Sequence, residues 1–83
     1  MEMTFEGLIQ HYGYEFEVSR SGESWKVNGA KMAKPKEVVF MPGTDVQIED
    51  VLKDSISGES ITVSEVKHVQ TPGVGYAGIA IPY

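Results

Sequence analysis

The sequence has 83 residues, which suits one domain, so residues 1–83 are predicted to fold as a single unit. It contains no cysteine, which excludes disulfides, cysteine-based metal sites and thiol chemistry. Its formal net charge of −5 argues against nucleic-acid binding through a generally basic surface. A domain this small has a thin core and gains stability from oligomerisation or from docking onto a partner.

Neither a secretory signal nor a membrane span is predicted. The first ten residues, MEMTFEGLIQ, are acidic and mixed, whereas a secretory signal has a basic start followed by an apolar run. The longest apolar stretch, residues 74–83, is too short to cross a bilayer. We therefore expect no contact with a membrane.

Residues 4–12 are predicted to form a short helix. Thr4 suits the N-cap, and Glu6 favours the positive end of the helix dipole. Gly13 is a natural helix stop, although Gly7 inside the segment lowers the helix propensity. Apolar side chains recur with the spacing of one helical face: Phe5, Leu8, Ile9 and Tyr12.

A β-hairpin is predicted to follow the helix. Apolar and polar residues alternate over residues 14–20, as in a half-buried strand, and residues 21–23 have the composition of a turn. A second short strand around Trp25 is expected to end at the turn dipeptide Asn-Gly at residues 28–29. Residues 30–36 have no clear period and are predicted to be an exposed loop.

The second half of the sequence alternates short apolar segments with glycine-marked turns. A change of parity after residue 63 predicts a β-bulge near residues 64–65. Together with the helix, the pattern predicts a mainly β fold, a small barrel or sandwich of about six short antiparallel strands with a short N-terminal helix. The predicted strands are residues 38–41, 46–48, 51–52, 61–69 and 76–81, with turns at 42–43, 57–59 and 72–73.

No group of residues in the sequence matches a catalytic or metal-binding motif. His11 and His68 lack a second ligand at metal-binding spacing, and residues 73–78 lack the Lys-Ser/Thr ending of a phosphate loop. We therefore predict no enzyme activity, no catalytic residue, no metal and no cofactor. Four carboxylates lack calcium-loop spacing and are expected at solvated strand edges and turns: Asp45, Glu49, Asp50 and Asp54.

Charge is unevenly distributed along the chain. Four lysines lie within residues 26–36, whereas residues 37–65 contain seven acids and one base. Either the charges are solvated loops and strand faces, or a basic patch meets an acidic patch on a neighbouring copy or partner. The glycine-spaced strand at residues 76–81 could also pair with a neighbour's sheet. The residues predicted to bind partners are Lys31, Lys34, Lys36, Tyr76 and Tyr83.

Two segments of the sequence resemble a family of structural proteins. They are LIQHYGYEFEVSR, with a helix, a Tyr-Gly stop and an alternating strand, and FMPGTDVQIEDVLKDSISGESITVSEVKHV, with turn-separated strands. Together they cover most of residues 4–69 and resemble small head–tail connector, head-closure or minor structural proteins of tailed phages and of prophages in Gram-positive bacteria. At the position where such proteins often have glycine before an aspartate, this chain has Glu49.

The resemblance implies a virion structural protein of the head–tail connection, or neck, that acts by protein–protein assembly. Its expected partners are portal, adaptor or tail proteins and further copies of itself, with no nucleic acid and no small-molecule substrate. Assembly in the bacterial host cytoplasm and then residence in the virion are implied. The expected contact segments are residues 30–36 and 74–83.

Two other classes of function remain open on the sequence. One is a small acidic β-barrel adaptor or host-interaction protein, including a mimic of DNA, whose dense surface carboxylates would make binding sensitive to salt. The other is an enzyme or small-ligand binder, which requires a pocket with convergent titratable groups.

Overall fold

The computed structural model of the chain describes residues 5–71 and 75–83, with the side chains of residues 6–70 and 78–83. Its elements confirm the predicted mainly β fold with one short N-terminal helix. No helix in the described part of the chain is both long and apolar enough to span a membrane. In chain order the elements are α1 (Phe5–Tyr12), β1 (Tyr14–Arg20), β2 (Glu23–Ala33), β3 (Lys36–Phe40), β4 (Val51–Asp54), β5 (Ser60–Thr62), β6 (Lys67–Thr71) and β7 (Gly75–Pro82).

The strands form one antiparallel seven-stranded sheet, curled into a half-barrel, with the order β5-β4-β1-β2-β3-β7-β6. The predicted hairpin is confirmed at its first turn, where Arg20 pairs with Glu23 across two residues. Ser21 and Gly22 have φ values of 50° and 82°, the left-handed pair that a tight hairpin turn needs to match the strand twist.

The predicted turn at residues 28–29 is wrong, because β2 continues through it for eleven residues. Gly29 is needed for packing rather than for turning: a Cβ there would lie 2.6 Å from Cε1 of Phe40 on the neighbouring strand. The predicted loop at residues 30–36 is therefore also wrong. It is the end of β2, a turn containing the cis Lys34–Pro35 peptide bond, and the start of β3.

The predicted single strand over residues 61–69 is two strands on opposite edges of the sheet. β5 pairs with β4 at one edge, and β6 pairs with β7 at the other, so residues 63–66 connect the two edges. The predicted strand at residues 46–48 is a loop, in which Val46 is buried and Ile48 is 60 % exposed. The curl of the sheet brings its edges close enough for this short connection.

The main core lies on the concave face of the sheet. Alternating residues of β1 and β3 point into it, and the Phe16 ring packs edge-on against Phe40 at 5.9 Å. Tyr14 stacks on Phe16 at 4.8 Å and is half-buried, as is Trp25 at the other end of the face. The buried members of this cluster are Phe16, Val18, Val38, Phe40, Val46, Leu52, Val63, Ile79 and Ile81.

The helix covers part of the opposite, convex face. Leu8 and Ile9 pack against a small cluster of Ala30, Val39 and Ala80. Gly13 ends the helix with a hydrogen bond to the Ile9 carbonyl at 2.9 Å, and a Cβ at Gly13 would collide with that carbonyl. Tyr12, which was predicted on the packed face with Leu8 and Ile9, is instead 66 % exposed. The predicted cap Thr4 and the side chain of Phe5 lie outside the described residues.

The C-terminal strand is an inner strand of the sheet. β7 pairs with β3 through Ile79–Pro82 and with β6 through Gly75–Ala80, so the predicted pairing of this strand with a neighbour's sheet is wrong. The outer strand on this side is β6. The predicted turn at residues 72–73 lies outside the described residues.

Candidate protein-binding site

The long strand β2 separates two polar ends of the sheet. Eleven residues of strand extend over ~33 Å. At its start lie the β1–β2 turn and the loop of residues 45–50, which we call the arginine end after Arg20. At its finish lie the β2–β3 turn and the end of β7, which we call the lysine end, defined by Lys31, Lys34, Lys36 and Tyr83.

The lysine end is organised around the ring of Tyr83. The ammonium groups of Lys31 and Lys36 lie 5.0 Å and 5.3 Å from the ring centroid, within cation–π range. The Tyr83 hydroxyl donates a hydrogen bond to the Met32 carbonyl at 2.9 Å, and its backbone N–H donates to the Lys36 carbonyl at 3.1 Å. The ring is thus held at both ends, and its position follows from the β2–β3 hairpin.

Asp54 positions Lys31 through an ion pair. The carboxylate is 1 % exposed and lies 3.5 Å from the Lys31 ammonium, while the Tyr14 hydroxyl donates to it at 2.7 Å. The backbone N–H groups of Ile56 and Ser57 donate to its other oxygen at 2.8 Å and 3.1 Å. Burial by itself would raise the pKa of Asp54, but these hydrogen bonds and the charge of Lys31 lower it to about 2.

The same contact acts on Tyr14. Burial, then the hydrogen bond to Asp54 and the charge of that carboxylate, raise the pKa of the Tyr14 hydroxyl above its usual value. The hydroxyl therefore stays protonated and keeps donating to Asp54. Because the carboxylate of Asp54 neutralises the charge of Lys31, this lysine adds little positive charge to the surface.

The positive charge that the lysine end presents to solvent comes from two other residues. Lys34 and Lys36 are exposed, and neither makes an ion pair within the part of the chain that the structure describes. Tyr83 beside them is 36 % exposed. Two ammonium groups and one aromatic edge thus face outward at the tip of the hairpin.

At the arginine end, Arg20 is bound by two carboxylates. Its Nε and Nη2 donate to the two oxygens of Asp50 at 2.8 Å and 2.7 Å, and Nη2 also donates to Asp45 at 2.9 Å. The guanidinium lies 4.9 Å from the ring centroid of Trp25, whose Nε1 donates to the Asp45 carbonyl at 3.2 Å. The hydrogen bonds from Arg20 lower the pKa of the buried Asp50, even though burial opposes this.

The arginine end also contains a groove. It encloses about 470 Å³ between the β1–β2 turn and the loop before β4, with Arg20 on its wall. Glu49 on its rim has a φ of 77°, a left-handed backbone conformation that is unfavourable for residues other than glycine. Exposed apolar side chains line the same groove: Ile48 is 60 % exposed and Val51 38 %.

The structure brings together three of the predicted binding residues, Lys31, Lys36 and Tyr83. Lys34 lies in the adjoining turn. Tyr76 is on β7, but its side chain is outside the described residues.

The burial of two candidate-site residues was not predicted from the sequence. Asp50 and Asp54, expected in solvated edges and turns, are 2 % and 1 % exposed. Their signal was the alternation of residues 50–54, in β4 and the residue before it, where Asp50, Leu52 and Asp54 are buried and the residues between them are exposed. Asp45 and Glu49 are exposed as expected, and no cluster suited to a metal ion occurs among the described residues.

No family model, curated protein or solved structure matches this chain. Its function is therefore inferred from its own surface.

Proposed function

We propose that this chain is a non-catalytic assembly module that binds other proteins through its lysine end. The observation that carries the proposal is the fixed ring of Tyr83, which has the ammonium groups of Lys31 and Lys36 at 5.0 Å and 5.3 Å from its centroid. The buried carboxylate of Asp54 holds Lys31 in place by an ion pair, and Lys34 adds a further exposed positive charge.

This surface has the properties of a protein-binding site rather than of a small-molecule pocket. A tyrosine that is already fixed loses little conformational entropy on binding, and aromatic residues contribute strongly at interfaces. The exposed ammonium groups of Lys34 and Lys36 favour a partner with carboxylates, which they would attract and orient. The partner is thus an acidic protein surface with room for an aromatic edge.

A more specific form of the proposal places the chain in a virion. The resemblance of residues 4–69 to neck proteins of tailed phages supports it, as does a small β domain with a charged binding end. In this form the partners are portal, adaptor or tail proteins, together with further copies of the chain. Assembly takes place in the host cytoplasm and the product remains in the virion.

A mimic of DNA is less well supported by the surface. Such a protein needs a dense array of unpaired carboxylates. On the convex face, Glu17 instead lies across from Lys26 on one side and Lys53 on the other, and Lys26 also pairs with Glu15 at 3.4 Å. Mixed charge of this kind leaves no continuous acidic stripe among the described residues of that face.

The experiment is co-expression of the chain with the structural proteins encoded by its neighbouring genes, followed by native mass spectrometry. We expect a defined complex for the wild type and its loss in the double variant Lys36→Glu, Tyr83→Ala. Lys53→Glu, an exposed lysine on the convex face, is the control and should retain the complex.

Circular dichroism must show that the variants are folded. A complex that survives in the double variant would contradict binding through the lysine end. The absence of any complex with these proteins would contradict the virion assignment.

A further inference from the structure

We propose that the lysine end of one copy binds the groove at the arginine end of a second copy, head to tail. The inference rests on the proposed function, because it names a second copy as a partner of the lysine end. Three features of the described residues carry it: complementary charge, complementary shape and the protection of the sheet edges.

The charges left over at the two ends are of opposite sign. At the arginine end, the buried Asp50 offsets Arg20, so that the acidic side chains beside the groove are in excess. These are Glu23, Asp45 and Glu49, all exposed. At the lysine end, Asp54 offsets Lys31, and the exposed Lys34 and Lys36 are in excess.

The shapes of the two ends are also complementary. The lysine end is a narrow hairpin tip that projects beyond Ala33, with Tyr83 beside it. The arginine end is a groove of about 470 Å³, with the exposed apolar side chains of Ile48 and Val51 at its rim. A tip with an aromatic edge and exposed lysines suits a groove that contains two exposed apolar side chains and the acidic side chain of Glu49.

Pairing through the edges of the sheet is disfavoured by comparison. The edge strand β5 has only three residues, and the other edge strand, β6, carries a register shift between Val69 and Gln70 and a lysine at position 67. Short strands, irregular register and lysines are the features by which natural sheets prevent edge-to-edge pairing. The two edges of the sheet are therefore poor surfaces for self-association.

A contact between unlike ends leaves one unused end on each copy, so it can propagate from copy to copy. Each copy carries a net charge of −5, which opposes random association. At about 0.15 M salt the screening length is about 8 Å, so the contacting side chains outweigh the net charge. The head-to-tail orientation is the one that brings the opposite charges of the two ends together.

Two charge-reversed variants and their mixture test the inference by sedimentation velocity. The tip variant is Lys34→Glu with Lys36→Glu, and the groove variant is Glu23→Lys with Glu49→Lys. We expect the wild type to self-associate and each variant alone to do so about tenfold more weakly, because each then opposes like charges. An equimolar mixture should restore association, since every tip again meets a groove of opposite charge.

The groove variant distinguishes the effect of local charge on association from the effect of net charge. Each Glu→Lys change adds two positive charges, so two changes take the net charge from −5 to −1. If net charge alone governed association, this variant would associate more strongly than the wild type, and that result would overturn the inference. Lys53→Glu is the matched control for Lys34→Glu and should leave association unchanged.

A wild type that stays monomeric at high concentration would also overturn the inference. If the lysine end still bound a heterologous virion protein, the proposed function would stand without it. If that binding were absent as well, both would fail.

Discussion

The two ends of the sheet each hold a buried aspartate, Asp50 just before β4 and Asp54 at its end, but with partners of different strength. Asp50 at the arginine end accepts hydrogen bonds from two nitrogens of the Arg20 guanidinium, at 2.8 Å and 2.7 Å. Asp54 at the lysine end receives a tyrosine hydroxyl at 2.7 Å and has its ammonium partner, Lys31, at 3.5 Å. Both carboxylates also accept backbone N–H groups, so both are satisfied.

The two carboxylates differ in what they leave exposed at each end of the sheet. The bidentate ion pair of Arg20 with Asp50 holds the loop of residues 45–50 against the sheet. It also neutralises the charge of Arg20, so that little positive charge is exposed at this end. The looser arrangement at Asp54 positions Lys31 beside Tyr83, and the hairpin tip presents the exposed Lys34 and Lys36. Under the proposed function, one end serves stability and the other contact with partners, and substitutions at the two ends should separate these roles.

The largest expected effect is at the arginine end. Arg20→Met leaves the buried Asp50 without its charge partner, and breaking such a pair costs about 3–5 kcal/mol. The free energy of unfolding from urea titrations measures this loss. Lys26→Met, which breaks the exposed pair with Glu15, should cost less than about 1 kcal/mol. Equal losses in the two variants would contradict a special role for the Arg20 pair.

A smaller loss is expected at the lysine end. Tyr14→Phe keeps the ring stacked on Phe16 but removes the hydroxyl from Asp54, at a cost of about 2 kcal/mol. The same urea titrations measure it. Tyr12→Phe is the matched control, because Tyr12 is 66 % exposed, and its stability should not change. A Tyr14→Phe variant as stable as the control would show that the hydroxyl is dispensable.

Acid should weaken the lysine end in a defined range of pH. The pKa of Asp54 in the folded chain is about 2, below the usual value near 4, so its ionised form stabilises the fold above pH ~4. This contribution, about 2 kcal/mol, is lost as the pH falls from ~4 to ~2 and Asp54 becomes protonated. Urea titrations across this range should show a shallower dependence for Asp54→Asn than for the wild type. Parallel curves would exclude Asp54 as a source of the pH dependence.

The smallest expected effect is a gain in stability. Glu49 has a φ of 77°, which glycine adopts without strain, so Glu49→Gly should stabilise the fold by up to about 1 kcal/mol. Gln47→Gly in the same loop relieves no such strain and should lower the melting temperature. A fall in melting temperature for Glu49→Gly would mean that its side chain makes a stabilising contribution larger than the strain.

Local patterns predicted some elements of the fold and failed at others for identifiable reasons. The alternation of residues 14–20 and the turn after them depend only on neighbouring residues, and both were confirmed. The Asn-Gly dipeptide at 28–29 also has a strong local preference, but the packing of Phe40 over Gly29 overrides it. Residues 61–69 read as one strand because periodicity does not record which edge of a sheet a segment joins.

The candidate site was predictable in composition but not in arrangement. The concentration of lysines in residues 26–36 pointed to the hairpin tip, although those residues were expected in a loop. The contact of Lys31 with Tyr83 joins residues 52 positions apart, which depends on the pairing of β7 with β3. The role of Asp54 depends on β4 pairing with β1, which brings it to Tyr14. Such long-range pairings leave no local signal.

The most direct test of contact through the two ends is a dilution series of the ¹⁵N-labelled chain, followed by two-dimensional NMR. Concentration-dependent shifts are expected in residues 31–36 and Tyr83 at the lysine end and in residues 47–51 at the groove. The exposed convex-face residues Glu15 and Lys53 should not shift. Shifts confined to the convex face, or spectra independent of concentration, would contradict self-association through the two ends.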